Sequence, residues 1–253
     1  MANLQALLFD VDGTLADTEK DGHRVAFNLA FEKAGLDWNW DEALYGELLA
    51  VTGGKERIRF YLDKFNTEFV KPDNFDAFVK GLHESKTDFY TQLLADGLIP
   101  LRPGVERLIN EAREQGMRMA VVTTTTPANV TALLESTLGP DSESWFEVIA
   151  AGDIVPAKKP APDIYHWALE QMGLTAEEAI AFEDSSNGIL SSSAANVKTI
   201  ITINDYTAED DFSAAHLVLD HMGEPGQAFN VLAGNHHGHD YLDLELVKKV
   251  HAN

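Results

Sequence analysis

The sequence predicts an α/β fold in which helices cover both faces of a parallel sheet and an all-helical block is inserted after the first strand. Three observations point there. Leu4 to Phe9 form a short apolar run ending at Asp10, which reads as a buried strand. Beyond about residue 98, short apolar strands alternate with helical segments. Between these regions the chain keeps helical character, and no strong strand signal interrupts it.

In chain order, Thr18 to Phe65 are expected to be mostly helical. Val25, Leu29 and Glu32 mark one possible face, while Ala26, Phe27, Ala30 and Phe31 fill the other turns. Trp38 and Trp40 are expected to pack the end of that helix pair. Another helix is expected from Asn74 to Asp96, with Phe75, Phe78, Val79, Leu82, Phe89, Leu93 and Leu94 as its apolar residues. After Arg102-Pro103-Gly104, helices at Val105–Gln115, Ala128–Leu138, Asp163–Met172 and near Gly188–Ala195 lead to strands at Arg118–Val122, Val148–Ala151, Ala179–Phe182 and Lys198–Ile203. Such alternation builds βαβ units and a Rossmann-like parallel sheet. Residues 1–15 and 99–253 are thus expected to form a catalytic core, and residues 16–98 a helical cap. An insertion leaving the carboxyl end of a strand sits over the crevice where such sheets bind ligands. The tail after about Met222 is less regular, and Gly234–His239 reads as an exposed turn.

Bulk properties narrow the function. The 253 residues are 45% hydrophobic and 24% charged, ordinary for a folded protein. No apolar run has bilayer-spanning length, and the N-terminus shows no secretory pattern, so the expected compartment is the cytoplasm. The absence of cysteine excludes disulfides and thiol chemistry. The net charge of -22 has the sign of nucleic acid and anionic membranes, so neither is expected as a partner. A phosphate site in such a chain must gather positive charge locally, from lysine, arginine or a divalent metal.

Asp10-Val11-Asp12-Gly13-Thr14 is the first candidate motif. Two carboxylates two residues apart at a strand end point the same way and repel unless a cation or proton is shared. Mg²⁺ suits such oxygen ligands and substrate phosphate. Asp-x-Asp by itself is a weak signal, since an acidic turn after a strand gives the same pattern. Three further segments lie at or near strand ends. Thr123 follows Met119–Val122, where its hydroxyl can hold a phosphate oxygen, although Thr124, Thr125 and Thr126 also suit a helix cap. Lys159 stands in Lys158-Lys159-Pro160-Ala161-Pro162-Asp163, whose prolines stiffen the approach to a helix; alone it would read as a surface lysine. Glu183-Asp184 follows Ala179–Phe182 and can complete a metal site or cap the next helix.

Taken in order, Asp-x-Asp-Gly-Thr, Thr, Lys-Pro and Glu-Asp-Ser resemble the haloacid dehalogenase (HAD) superfamily over nearly the whole chain. The resemblance implies the HAD fold and phosphoric monoester hydrolysis, with Asp10 as nucleophile and Asp12 as general acid/base. It also implies that Thr123 and Lys159 bind the phosphoryl group. Mg²⁺ would be held by Asp10, the backbone carbonyl of Asp12, and Asp184, with Glu183 contributing directly or through water. Dehalogenase members lack the second aspartate, so Asp12 favours phosphate chemistry.

Asp17–Arg24 and Thr52-Gly53-Gly54-Lys55-Glu56-Arg57-Ile58 resemble the CbbY-like phosphatases, which remove phosphate from xylulose 1,5-bisphosphate, a misfire product and inhibitor of Rubisco. A bisphosphate needs one phosphate at the metal and an anchor for the other. Gly53 and Gly54 allow close backbone approach, and Lys55 and Arg57 supply charge, with Glu56 between them. Without the resemblance this stretch would read as a helix start with a solvated charged face. Glu19 and His23 are candidates for sugar hydroxyls, Lys86 for a further contact, and Thr124 and Thr125 for substrate binding. His236, His237 and His239 lack a fourth ligand at useful spacing and are not counted as a site. The expected enzyme is a monomeric sugar-bisphosphate phosphatase with a small-molecule substrate. The rivals are a β-phosphoglucomutase-like phosphotransferase and a non-catalytic phospho-sugar binding protein; the complete set of catalytic residues argues against the latter.

Overall fold

The computed structural model describes residues 3–253, so the first two residues of the expected 1–15 segment lie outside it. The first strand, β1 (Ala6–Phe9), is followed by a π-helical turn (Glu19–His23) that runs into α1 (Arg24–Lys33). Helices α2 (Glu42–Leu48), α3 (Gly54–Lys64) and α4 (Phe75–Ala95) come next. The chain then runs through α5 (Val105–Glu114), β2 (Arg118–Val122), α6 (Pro127–Leu138), β3 (Val148–Ala150) and α7 (Asp163–Met172). It continues with β4 (Ala179–Glu183), α8 (Ser186–Ala194), β5 (Lys198–Thr202), β6 (Leu217–Leu219), β7 (Val231–Gly234) and α9 (Leu244–Ala252).

Among the described residues the sheet has seven strands in the order β3-β2-β1-β4-β5-β6-β7. All neighbours are parallel except β6 and β7. The expected α/β class and parallel sheet are thus observed. Period-two alternation divides β1 between two cores. Leu7 and Phe9 join α5, α6 and α9 on one face, while Ala6 and Leu8 join Ile164, Tyr165 and Ala168 of α7 on the other. A third core is aromatic: Phe27, Phe31, Trp38, Trp40, Tyr45 and Tyr61 pack together within α1–α3 and their connections. Asn28 holds Trp40 there, accepting from its backbone N–H at 2.8 Å and donating to its carbonyl at 2.9 Å.

The chain leaves and re-enters the sheet region at one place, where Ala16 and Leu101 form an antiparallel bridge and Arg102 N donates to Leu15 O at 2.8 Å. The buried Arg102 guanidinium donates to the carbonyls of Gly13, Thr202, Ile203 and Asp220, tying the loop after β1 to the end of β5.

Three expectations need correction. On α1 the buried face is Ala26, Phe27, Ala30 and Phe31, whereas Val25 and Leu29 are half-exposed and Glu32 is exposed, because the aromatic core lies on that side. The tail is more regular than its sequence suggests. Leu244, Leu246, Val247 and Val250 of α9 are buried, and Asp243 caps the helix by accepting from Leu246 N at 2.7 Å. β6 and β7 have three and four residues, too short to leave a periodic signal. The turn at His236–His239 is present, but its histidines are half-buried by contacts that include His239–Asp243 and Lys249–His239.

Candidate functional site

The carboxyl ends of β1, β2 and β4 bring Asp10, Thr123, Glu183 and Asp184 to one edge of the sheet. Asp10 N donates to Phe182 O at 3.0 Å and Thr123 N to Ala150 O at 2.9 Å, so the ladder itself fixes both residues. Lys159 arrives from the loop before α7. Its ammonium is buried and donates to Asp10 Oδ1 at 2.8 Å, Glu183 Oε1 at 2.6 Å and Val122 O at 2.8 Å. Although burial opposes its charge, Asp10 and Glu183 outweigh that and raise the Lys159 pKa.

One oxygen each from Asp10, Glu183 and Asp184 can lie within 4.8 Å of one another. Burial raises the pKa of all three carboxyls, that of Glu183 to about 7; repulsion from Asp12 adds to the rise at Asp10 and repulsion from Asp10 to the rises at Glu183 and Asp184, although Lys159 pulls down on Asp10 and Glu183. Tyr165 and Lys159 both donate to Glu183 Oε1, while Oε2 is buried without a hydrogen-bond partner among the described residues. Crowded carboxylates with an orphaned oxygen suit a hard divalent cation. Gly13, at φ +84, permits the exit turn; a Cβ there would collide with Asp184 Oδ2 and lie 2.7 Å from Asn204 Nδ2.

Asp12 points the other way, toward the helical block. Its Oδ1 accepts from Thr18 Oγ1 at 2.5 Å and pairs with His23 Nε2 at 2.8 Å. Burial opposes its charge, but His23, Thr18 and Lys86 together hold its pKa below the ordinary value. His23 Nδ1 lies 2.7 Å from Lys86 Nζ. Both ring nitrogens of His23 are therefore engaged within the protein.

Two adjoining cavities share Asp12, Glu19, Arg57 and Thr124. The inner one, about 250 Å³, also holds Asp10, Thr123, Lys159, Glu183 and Asp184. The outer one, about 550 Å³, holds His23, Gly53, Gly54, Lys55, Lys86 and Thr125. The sequence candidates are thus gathered at one place, with one exception. Glu56 lines neither cavity and instead faces Lys158, 3.3 Å away. Gly53 and Gly54 start α3, and a Cβ on Gly54 would lie 2.6 Å from the His83 ring.

The cationic groups are already partnered. Lys55 Nζ pairs with Asp153 at 2.5 Å, and Arg57 Nη1 donates to Tyr45 Oη at 2.7 Å and lies 3.5 Å from Glu19 Oε2. Thr125 Oγ1 accepts from Asn129 at 2.8 Å. Thr126 occupies the N-cap of α6 but makes no side-chain cap bond, so the threonine run does not cap the helix as its composition suggests.

Sequence reasoning missed Thr18, Tyr45, His83, Asn129, Lys158, Tyr165 and Asn204. Asn204 could have been found by the rule that found the others, since it lies just past the carboxyl end of β5. Lys158 adjoins Lys159 and lies 2.9 Å from Asp153. Tyr165, Tyr45 and Thr18 carried no local signal.

Residues 4–196 match the haloacid dehalogenase-like hydrolase family. The plasmid-encoded CbbY of Cupriavidus necator is 46% identical over 224 residues, covering 88% of this chain and 88% of that protein. CbbY of Rhodobacter capsulatus is 47% identical over 212 residues, covering 84% and 91%. Among solved structures, a CbbY mutant from Rhodobacter sphaeroides in complex with xylulose-(1,5)bisphosphate superposes with a TM-score of 0.80 at 44% identity, covering 88% of this chain and 96% of that one.

Proposed function

The chain belongs to the haloacid dehalogenase-like hydrolases, in their CbbY-like subgroup, and on that premise we propose that it is a Mg²⁺-dependent sugar-bisphosphate phosphatase whose substrate is xylulose 1,5-bisphosphate. It is a phosphoric monoester hydrolase for a small sugar phosphate. The observation that carries the finer reading is the joined cavity. Lys159 lies at its inner end beside the carboxylates that would hold a divalent cation, and Lys55, Lys86 and Lys158 line its outer part, so a molecule with a phosphate at each end meets cationic groups at both.

Residues 16–98 act as the cap over this cavity, and residues 1–15 with 99–253 as the core. The carboxylates of Asp10, Glu183 and Asp184, with the backbone carbonyl of Asp12, would hold Mg²⁺. When bound, the ion offsets the repulsion between nucleophile and phosphate. Lys159 fixes one oxygen of Asp10, and Thr123 and Lys159 bind the transferring phosphoryl group. An Asp10 oxygen attacks phosphorus and the bond from phosphorus to the sugar oxygen breaks. Asp12 gives its proton to that leaving oxygen. Asp12 then takes a proton from water as the water attacks the aspartyl phosphate, releasing inorganic phosphate and restoring Asp10. His23 and Thr18 favour the ionised form of Asp12, and the arriving phosphate, a like charge, pushes its pKa back up.

A phosphate-release panel of xylulose 1,5-bisphosphate, ribulose 1,5-bisphosphate, phosphoglycolate and glucose phosphates tests the proposal. A preference of about tenfold or more for the first over the second is expected. A ratio near one would overturn the substrate assignment. Interconversion of bisphosphate-primed glucose phosphates without net phosphate release would identify a mutase.

A further inference from the structure

Asp184 is held by a residue outside the four motifs. Asn204 Nδ2 donates to Asp184 Oδ2 at 2.7 Å. The amide cannot be turned the other way without loss, because its Oδ1 accepts from Tyr206 N at 2.9 Å. Asn204 N in turn donates to the buried Thr207 Oγ1 at 3.0 Å, and Thr207 N donates back to Asn204 O at 3.1 Å. Ile203, just before it, is fixed through both backbone groups: its N–H donates to Leu219 O at 2.9 Å and its carbonyl accepts from Arg102. The amide therefore reaches Asp184 from a rigid turn built on the end of β5.

A side chain on Gly13 would strike both Asp184 Oδ2 and Asn204 Nδ2, so the loop after β1 passes directly over this hydrogen bond. With Oδ2 taken by the amide, Asp184 Oδ1 accepts no hydrogen bond among the described residues. Asn204 also lines the inner cavity.

We propose that Asn204 is a positioning residue: its amide occupies Asp184 Oδ2 and so presents Oδ1 to the cation. The inference rests on the reading of Asp184 as a metal ligand. Partners of this kind, one step out from a ligand, typically change metal affinity or activity by about 10- to 100-fold when removed.

The test is calorimetric titration of the full chain with MgCl₂ and no substrate, comparing wild type, Asn204→Ala, Asn204→Ser and Asp184→Asn. A serine hydroxyl can still accept from the N–H two residues on and keep the turn, but it is too short to reach Asp184. Both Asn204 variants are expected to bind Mg²⁺ about tenfold more weakly, with melting temperatures in chelator close to wild type. If the serine variant binds Mg²⁺ like wild type while the alanine variant does not, the turn matters and the amide contact does not, which overturns the proposal. Unchanged affinity in both variants overturns it too. Asp184→Asn is expected to abolish the titration. If wild type shows no Mg²⁺ binding, the metal reading itself falls, a result distinct from failure at Asn204.

Discussion

Lys86 Nζ lies 2.7 Å from His23 Nδ1, and His23 Nε2 lies 2.8 Å from Asp12 Oδ1. An ammonium only donates, so His23 Nδ1 accepts and Nε2 carries the proton that faces Asp12. Two residues of the helical block thereby fix the tautomer and the carboxylate orientation of a residue at the edge of the sheet.

Replacing the middle of this chain should disturb protonation chemistry more than binding. For His23→Ala, kcat is expected to fall about 10²- to 10³-fold, within the range of a general acid–base contribution. KM should change much less. Steady-state kinetics on the preferred bisphosphate measures both, and a KM effect with kcat preserved would make His23 a substrate contact instead.

Lys86 is only 3% exposed, and burial pulls its ammonium down to about 8, with Arg57 adding to the fall and Asp12 and Glu19 opposing it. The unfolded chain, with an ordinary lysine pKa near 10.5, then binds more protons between those values. The penalty is therefore full below about pH 8 and relieved as pH rises toward 10.5, about 3 kcal/mol in all. Lys86→Met is expected to be more stable than wild type at pH 7 and much less active. The stability difference should shrink between pH 8 and 10.5, as chemical denaturation at several pH values would reveal. A constant difference across that window contradicts the assignment.

Lys158 tests the outer anchor. Its ammonium lies 2.9 Å from Asp153 and 3.3 Å from Glu56, on the wall of the outer cavity. Lys158→Ala is expected to raise KM for a bisphosphate about tenfold, the weight of one charge-assisted contact. KM for a small monophosphate should stay the same. Equal effects on both substrates would place the lysine outside the distal phosphate contact.

Metal removal should be visible without substrate. The carboxyls of Asp10, Glu183 and Asp184 repel one another, and a cation relieves that repulsion. At 100 times Kd, Mg²⁺ adds about 2.7 kcal/mol of stability. In a chain of this size that corresponds to a rise in Tm of roughly 5–10 °C. Chelator should reverse the rise and stop turnover; identical melting curves in Mg²⁺ and chelator would count against the site.

Much of the fold was legible because local patterns encode it. β2 and α7 have the predicted bounds, since a run such as Met119–Val122 in an α/β alternation has one sensible reading. The tail was not legible, because β6 and β7 are short and β7 is exposed along its length. Glu56 looked like its neighbours in sequence, but its carboxylate pairs with Lys158, a residue 102 positions away, and lines neither cavity.

The sequence by itself determined the α/β alternation and the placing of the candidate residues at strand ends, because parallel strands deliver their carboxyl ends to one edge wherever the loops wander. It could not determine that Lys86 would meet His23 across 63 residues, that Tyr165 would donate to Glu183, or that Asn204 would hold Asp184. Those pairings depend on distances of a few ångströms between separate elements. No local periodicity carries such distances; they are set only when the helical block, the loop after β5 and the sheet pack together.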